Sequence, residues 1–321
     1  MNAYHSIFLQ FNQLMQNGFI FQAYFFSALH LPSLILDSEC YNLAVITGGY
    51  MDKKYYSYTA DQLNEGKIPV KCLGDSGEVF SEIAHIMIDE IEKNNREGKK
   101  TVFICPVGPV GQYPIFVRLV KERNVSLKNC WFFNMDEYLD DDKSYIAKES
   151  PLSFRGFMER TVYSQIPEEL NVPESQRFFP DPEDPDSVGR KIEELGGVDI
   201  CFGGIGINGH LAFNEAEEVS AEEFAKRDTR VLAISRETRC ANAIGDLNGA
   251  IDAMPIYAIT IGIKEILASR KVVLGVFRPW HRSVLRQAIF DEPSGHFPVT
   301  LLQNHKDALI LANNVASAKA F

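Results

Sequence analysis

Two adjacent carboxylates, Asp136 and Glu137, follow the apolar run 130–133 (CWFF) almost directly. A carboxyl group that is partly desolvated at the end of a strand has a raised pKa, and it can then carry a proton between neighbouring carbon atoms of a bound molecule. A solvated turn would contain the same residues, and this segment alone does not choose between the two. The pair is therefore a candidate general base.

A glycine-rich segment follows another apolar run, 198–203, and ends in His210. Four glycines lie within residues 203–209, and this density lets the backbone approach a ligand closely. Glu215 stands five residues after the histidine, which indicates an imidazole oriented by a carboxylate for acid–base work. The pattern GxGxxG is also present, but residues 210–215 do not continue it as a clean helix, so we do not predict a dinucleotide site. A histidine packed in a loop is the alternative.

Two cationic segments also follow apolar runs, and each could hold an anion. Thr238 and Arg239 lie where a helix is expected to begin, and an arginine next to free backbone amides suits a phosphate. His281 and Arg282 close the second segment, 278–282 (RPWHR). The alternatives are a surface capping sequence for the first segment and a solvated basic loop for the second.

The elements that must position these residues alternate between strands and helices from residue 67 onwards. This alternation predicts an α/β fold with a doubly wound, mostly parallel sheet, a Rossmann-like three-layer sandwich, in which ligands bind at the carboxyl ends of the strands. The expected strands are 68–72, 100–105, 130–133, 198–203, 231–234, 257–260, 271–277 and 308–313. The expected helices are 77–95, 115–124, 154–162, 186–195, 261–268 and 282–290.

The first part of the chain differs from the rest, since residues 1–52 contain no Lys or Arg. We therefore divide the chain into a low-charge arm, 1–66, and an α/β domain, 67–321. The apolar stretch 18–36 is interrupted by polar residues and has no cationic flank, so we expect a buried or subunit-covering arm rather than a membrane contact.

Composition limits the classes of partner. The 321 residues carry a formal net charge of −11, which argues against a nucleic-acid binder, because such a protein needs a basic face for the phosphates. The six cysteines show neither CxxC spacing nor a neighbouring histidine at zinc-ligand spacing, so we predict reduced thiols, no metal site and a cytoplasmic protein.

Together these motifs resemble the glucosamine-6-phosphate deaminase family, which shares a superfamily with the 6-phosphogluconolactonases. The segment 133–138 (FNMDEY) matches a family motif letter for letter, 206–215 is similar to GxDGHIAFNE, and 238–242 (TRCAN) is similar to DTRxAN. Residues 153–158 (SFRGFM) resemble the lid segment of the family. The motifs occur in family order, and the similarity extends over about residues 70–318.

The resemblance implies roles for individual residues. Asp136 would move a proton between C2 and C1 of an open-chain amino sugar, and His210, supported by Glu215, would open the pyranose ring. Arg239 would bind the 6-phosphate. Loss of ammonia from C2 would give fructose 6-phosphate. The resemblance further implies a small sugar phosphate as partner, no metal or redox cofactor, and a homo-oligomer.

The chain departs from the family pattern at several of these positions. Asn208 stands where the family has an Asp beside the histidine, and an amide cannot take up a proton or stabilise an imidazolium by charge. The phosphate loop of the family corresponds to Gly111, Gln112 and Tyr113, without its hydroxyl residue. The phosphate-binding lysine of the family falls at His281 or Arg282.

Three functions fit these residues. A sugar-phosphate isomerase/deaminase ranks first, since Asp136, His210 and Glu215 are present. A non-catalytic protein that binds a sugar phosphate ranks second, and a lactone hydrolase in which His210 activates water ranks third.

Overall fold

Seven parallel strands form the larger of two sheets in the computed structural model, which describes residues 53–321. Their order across the sheet is β1-β10-β9-β6-β2-β3-β5. The continuous apolar runs explain this placement, because strands covered on both faces lose the alternation of polar and apolar residues. The prediction of a doubly wound parallel sheet is confirmed. The strands are β1 (Val70–Leu73), β2 (Thr101–Cys105), β3 (Cys130–Asn134), β5 (Arg177–Phe178), β6 (Ile200–Gly203), β9 (Lys271–Val276) and β10 (Ala308–Asn313).

A smaller sheet holds three antiparallel strands in the order β4-β8-β7. These are β4 (Asp136–Leu139), β7 (Arg230–Ala233) and β8 (Tyr257–Thr260). The alternation of strands and helices gives no sign of this second sheet. Only Met135 separates β3 from β4, so β4 looks like a turn in the sequence. The consequence is functional, because the candidate base lies on a strand of the second sheet.

Helices cover both faces of the large sheet. On one face α1 (Ser76–Arg96) and α2 (Gln112–Glu122) pack over alternate residues such as Phe103 and Phe202. On the other face α4 (Ser187–Glu194) and α8 (His281–Phe290) pack over Val102 and Ile104. The helix α1 begins after Asp75, whose carboxylate accepts the N–H of Glu78 at 2.9 Å, as is typical of an N-cap. The helices are α1 (Ser76–Arg96), α2 (Gln112–Glu122), α3 (Phe154–Thr161), α4 (Ser187–Glu194), α5 (Ala221–Phe224), α6 (Arg236–Asp246), α7 (Ile263–Leu267), α8 (His281–Phe290) and α9 (Asn314–Ser317).

Residues 54–321 form one compact unit. Within it, residues 54–66, which the sequence assigns to the arm, contact the α/β domain: Leu63 is fully buried, and the guanidinium of Arg286 donates to the carbonyl of Tyr58 at 2.5 Å. Residues 1–52 of the predicted arm lie outside the described residues. No helix within residues 53–321 has the length and apolar character needed to cross a membrane.

Candidate active site

A cavity of about 510 Å³ opens at the carboxyl ends of β2, β3, β6 and β9. The loops that follow these strands form its floor, and the start of α3 covers it with Phe154 and Phe157. This is the position where parallel α/β sheets bind their ligands. Of the residues predicted to form the site, Gly111, Asp136, His210 and His281 line this cavity.

Asp136 is the first residue of β4 and faces the cavity with only 7% of its surface exposed. Its carboxyl group forms no hydrogen bond with any described residue. Burial raises the pKa of Asp136 well above its usual range, and the neighbouring charge of Glu137 raises this pKa further. The carboxylate form of Asp136 is therefore a strong proton acceptor, and no described residue donates a hydrogen bond to it.

Glu137 points away from the cavity and binds the lid, which is the N-terminal part of α3 that covers the cavity. Its carboxylate accepts the hydroxyl of Ser153 at 3.0 Å and the backbone N–H groups of Phe154 and Arg155 at 3.0 and 2.8 Å. The guanidinium of Arg155 donates a further bond at 3.3 Å. A carboxylate at this position satisfies free amides at the N-terminus of α3 and complements its dipole. The two adjacent acids therefore have different tasks.

His210 is fixed in one tautomer by Asn208. The Nδ1 atom of His210 lies 2.8 Å from the amide oxygen of Asn208, which can only accept, so Nδ1 carries the proton. Burial lowers the pKa of His210, and the charge of Glu215 opposes this effect. The ring lies against Gly206, where a Cβ atom would come within 2.2 Å of both ring nitrogens. The neutral imidazole thus presents an unprotonated Nε2 in the cavity wall.

Glu215 reaches the imidazole through intermediates rather than directly. Its Oε2 atom is 3.9 Å from Nδ1 of His210, but it accepts the amide of Asn208 at 2.7 Å and the hydroxyl of Thr238 at 3.1 Å. The same hydroxyl lies 3.2 Å from Nδ1 of His210. Ser235 adds its backbone N–H to Glu215 at 3.3 Å. The carboxylate orients the amide, and the amide orients the imidazole.

His281 lines the cavity but carries no charge there. Its Nδ1 accepts the backbone N–H groups of Phe277 and Arg278 at 3.0 and 2.9 Å, so Nε2 holds the proton and donates to the carbonyl of Ile205 at 3.1 Å. Burial lowers the pKa of His281 to about 3, although the hydrogen bond to Ile205 works in the opposite direction. This histidine braces two loops and cannot neutralise an anion.

Four other residues of the predicted site do not line the cavity: Gln112, Tyr113, Arg239 and Arg282. Gln112 donates to the carbonyl of Pro109 at 2.7 Å, and the hydroxyl of Tyr113 donates to the carbonyl of Pro106. Both side chains thereby stabilise the loop 106–111, and of residues 111–113 only Gly111 lines the cavity.

Arg239 and Arg282 are also bound to backbone carbonyls. Arg239 donates to Ile251 and Met254, at 3.3 Å each, and Arg282 donates to Val315 at 2.9 Å. Neither residue lines the cavity. The guanidinium groups that the sequence assigns to phosphate thus have other partners.

Several cavity residues have no individual role in the predicted site, although Arg278 belongs to the cationic segment 278–282 that could hold an anion. Arg278, Asp246 and Asn242 line the cavity, as does a set of aromatic residues that includes Phe80 and Trp280. Arg278 follows the buried strand β9 after one intervening residue, as Asp136 follows β3. The contribution of Phe80, which lies on α1, has no local signal in the sequence. Among residues 53–321 no cluster of three or more His, Cys, Asp or Glu side chains could hold a metal ion.

Curated relatives of this chain are described as glucosamine-6-phosphate deaminases. One from Porphyromonas gingivalis is 30% identical over 240 residues, which cover 73% of this chain and 86% of the relative. One from Bacteroides fragilis is 30% identical over 242 residues, which cover 74% of this chain and 85% of the relative. No family model matches the sequence.

The comparison with solved structures agrees with the comparison of sequences. A monomeric glucosamine-6-phosphate deaminase aligns with a TM-score of 0.67 and 27% identity, covering 78% of this chain and 99% of that chain. A 6-phosphogluconolactonase from Shewanella baltica aligns with a TM-score of 0.55 and 14% identity, covering 77% of this chain and 97% of that chain. The second likeness shows a common fold alone.

Proposed function

Since the chain belongs to the glucosamine-6-phosphate deaminase family, we propose that it converts glucosamine 6-phosphate and water to fructose 6-phosphate and ammonia. The protein is a sugar-phosphate isomerase/deaminase. The observation that carries the assignment is that one cavity holds two groups without a described hydrogen-bond partner, the carboxyl group of Asp136 and the Nε2 atom of His210.

His210 opens the sugar ring in this proposal. A neutral imidazole with an unprotonated Nε2 takes the proton of the anomeric hydroxyl and returns it to the ring oxygen as the C1–O5 bond breaks. Asn208 supports this step because it holds the Nδ1–H tautomer. A charged carboxylate at position 208 is not required, since the imidazole begins and ends the step neutral.

Asp136 then isomerises the open chain. Its carboxylate removes the proton from C2, which is acidified by the C1 aldehyde, and returns it to C1. A proton passes from the amino nitrogen to O1 in the same isomerisation, so the C1 aldehyde becomes an alcohol and the C2 amine becomes an imine. Water adds to the imine carbon, and ammonia leaves from C2 to give the ketose. The high proton affinity that burial gives Asp136 supports its role as the base. The substrate ammonium group, once bound nearby, favours the charged form of the carboxyl group.

A coupled assay that detects both ammonia and fructose 6-phosphate from glucosamine 6-phosphate tests the proposal. We expect turnover by the wild-type protein and a large loss in Asp136→Asn and His210→Gln. If the protein releases no ammonia but fructose 6-phosphate raises its thermal unfolding temperature, it is a sugar-phosphate binder instead. Turnover of 6-phosphogluconolactone without deamination would identify a hydrolase.

We further propose that the enzyme acts in the cytoplasm as a homo-oligomer. The family resemblance supports an oligomer, whereas the solved deaminase described above is monomeric. Light scattering of the full chain decides between them, because one protomer has a mass of 36.2 kDa. A single species of that mass would contradict the oligomer.

A further inference from the structure

The cavity has little positive charge to offer a phosphate. Among the described residues that line it, Arg278 is the one Lys or Arg, whereas Asp136 and Asp246 are acids. His210 and His281 have pKa values lowered by burial and are neutral at neutral pH. A phosphorylated sugar that enters this cavity therefore meets one permanent cation.

No described residue holds the guanidinium of Arg278 by a hydrogen bond or an ion pair. The guanidinium lies above the last turn of α6, where a Cβ atom on Gly245 would be 3.3 Å from Nη1. Burial raises the pKa of Asp246 and Arg278 opposes that rise, so the two charges interact without a direct bond. No bond to a described residue therefore opposes a turn of this arginine towards a ligand.

Arg278 lies at the same end of the cavity as the loop 106–111, which follows β2. The ring of Phe277 packs edge-on against Phe80, with centroids 5.0 Å apart. Phe80 in turn lies against Gly111 so closely that a Cβ atom there would come within 2.2 Å of the ring. The loop that carries Arg278 and the loop that ends at Gly111 are thus joined through two aromatic rings.

We propose that Arg278 is the residue that binds the phosphate group of the substrate, opposite the backbone of the loop 106–111. The inference rests on the proposed function for the identity of the ligand, and it assigns the phosphate to a residue other than Arg239 and Arg282, which are bound to carbonyl groups. The planar guanidinium can give two parallel hydrogen bonds to phosphate oxygens. It replaces, from the loop before α8, the charge that His281 does not provide.

Kinetics of Arg278→Gln test the assignment. Charged hydrogen bonds to phosphate are strong enough that we expect KM for glucosamine 6-phosphate to rise about 10- to 100-fold with little change in kcat. Arg278→Lys restores part of the affinity, since it keeps the charge and loses the bidentate geometry. For unphosphorylated glucosamine, kcat/KM stays at the wild-type value. The matched control is Arg190→Gln, which removes an exposed guanidinium on α4.

Thermal unfolding with fructose 6-phosphate separates this inference from the proposed function. If the wild-type protein releases no ammonia but fructose 6-phosphate raises its unfolding temperature, and the shift is lost in Arg278→Gln alone, the binding role holds while the reaction does not. Wild-type KM and a wild-type thermal shift in Arg278→Gln would overturn the inference. An effect found in Arg239→Gln and absent from Arg278→Gln, or no thermal shift and no turnover in the wild-type protein, would overturn it equally.

Discussion

Replacing Glu137 by Gln tests how the lid and the base are coupled. The carboxylate accepts four hydrogen bonds from residues 153–155, the residues that begin α3, and one more from the backbone of Tyr138 at 2.9 Å. It has no solvent exposure. The glutamine has nearly the same shape, but its NH₂ group would face N–H donors, and its neutral oxygen would pair less well with Arg155.

The expected loss of stability is large. Removing one partner of a buried charged pair costs about 3–5 kcal/mol, because the remaining donors stay buried. For a protein of this size, about 2 °C of melting temperature accompanies each kcal/mol, so Glu137→Gln should melt about 6–10 °C below the wild type. Since Ser153, Phe154 and Phe157 line the cavity, a loosened lid should also raise KM.

The same substitution should move the pH profile. The charge of Glu137 raises the pKa of Asp136, in addition to the larger effect of burial, and a general base loses activity as the pH falls through its pKa. Neutralising residue 137 lowers the pKa of Asp136, so the acidic limb of kcat/KM should shift to lower pH.

The assays are a melting curve and a kcat/KM profile between about pH 4 and 9, a range that spans the ordinary pKa values of carboxyl and imidazole groups. Glu159→Gln is the matched control, since this glutamate lies on the same helix with 54% of its side chain exposed. A variant with the wild-type melting temperature would refute the role of Glu137 in holding the start of α3. A lower melting temperature with an unmoved acidic limb would show that Glu137 does not act on Asp136.

Three other substitutions have definite outcomes. Asp136→Asn should lower turnover by about 10²–10⁴-fold and raise the melting temperature. This gain should grow as the pH rises above about 4, because the wild-type carboxyl group, with its raised pKa, loses stability relative to the unfolded chain as the pH increases. Asn208→Asp should raise the pKa of His210 by adding a negative charge 2.8 Å from Nδ1, measurable from imidazole NMR shifts; an unchanged pKa would contradict the assigned contact. Arg286→Met should cost about 3 kcal/mol in chemical denaturation, because the fully buried guanidinium holds carbonyl groups of residues 58, 282 and 317; full stability would refute that role.

Much of the architecture is legible in the sequence. Short apolar runs such as 101–105 and 271–276 favour covered strands, and their alternation with amphipathic helices predicts a parallel sheet with its site at the carboxyl ends. The cavity lies at that edge, and Asp136 and His210 face it. The small antiparallel sheet has no such signal, because its strand β4 follows β3 after a single residue.

The amino-acid sequence by itself determined which kinds of side chain lie at the carboxyl edge of the sheet, because the residues that follow a buried parallel strand emerge at that edge. Only the tertiary structure decided which of them enter the cavity. Asp136 and Glu137 are neighbours, yet they diverge because successive side chains on a strand point to opposite faces. Arg239 donates to the backbone carbonyls of Ile251 and Met254, whereas no described residue bonds the guanidinium of Arg278. That difference depends on which segments the fold places beside each guanidinium.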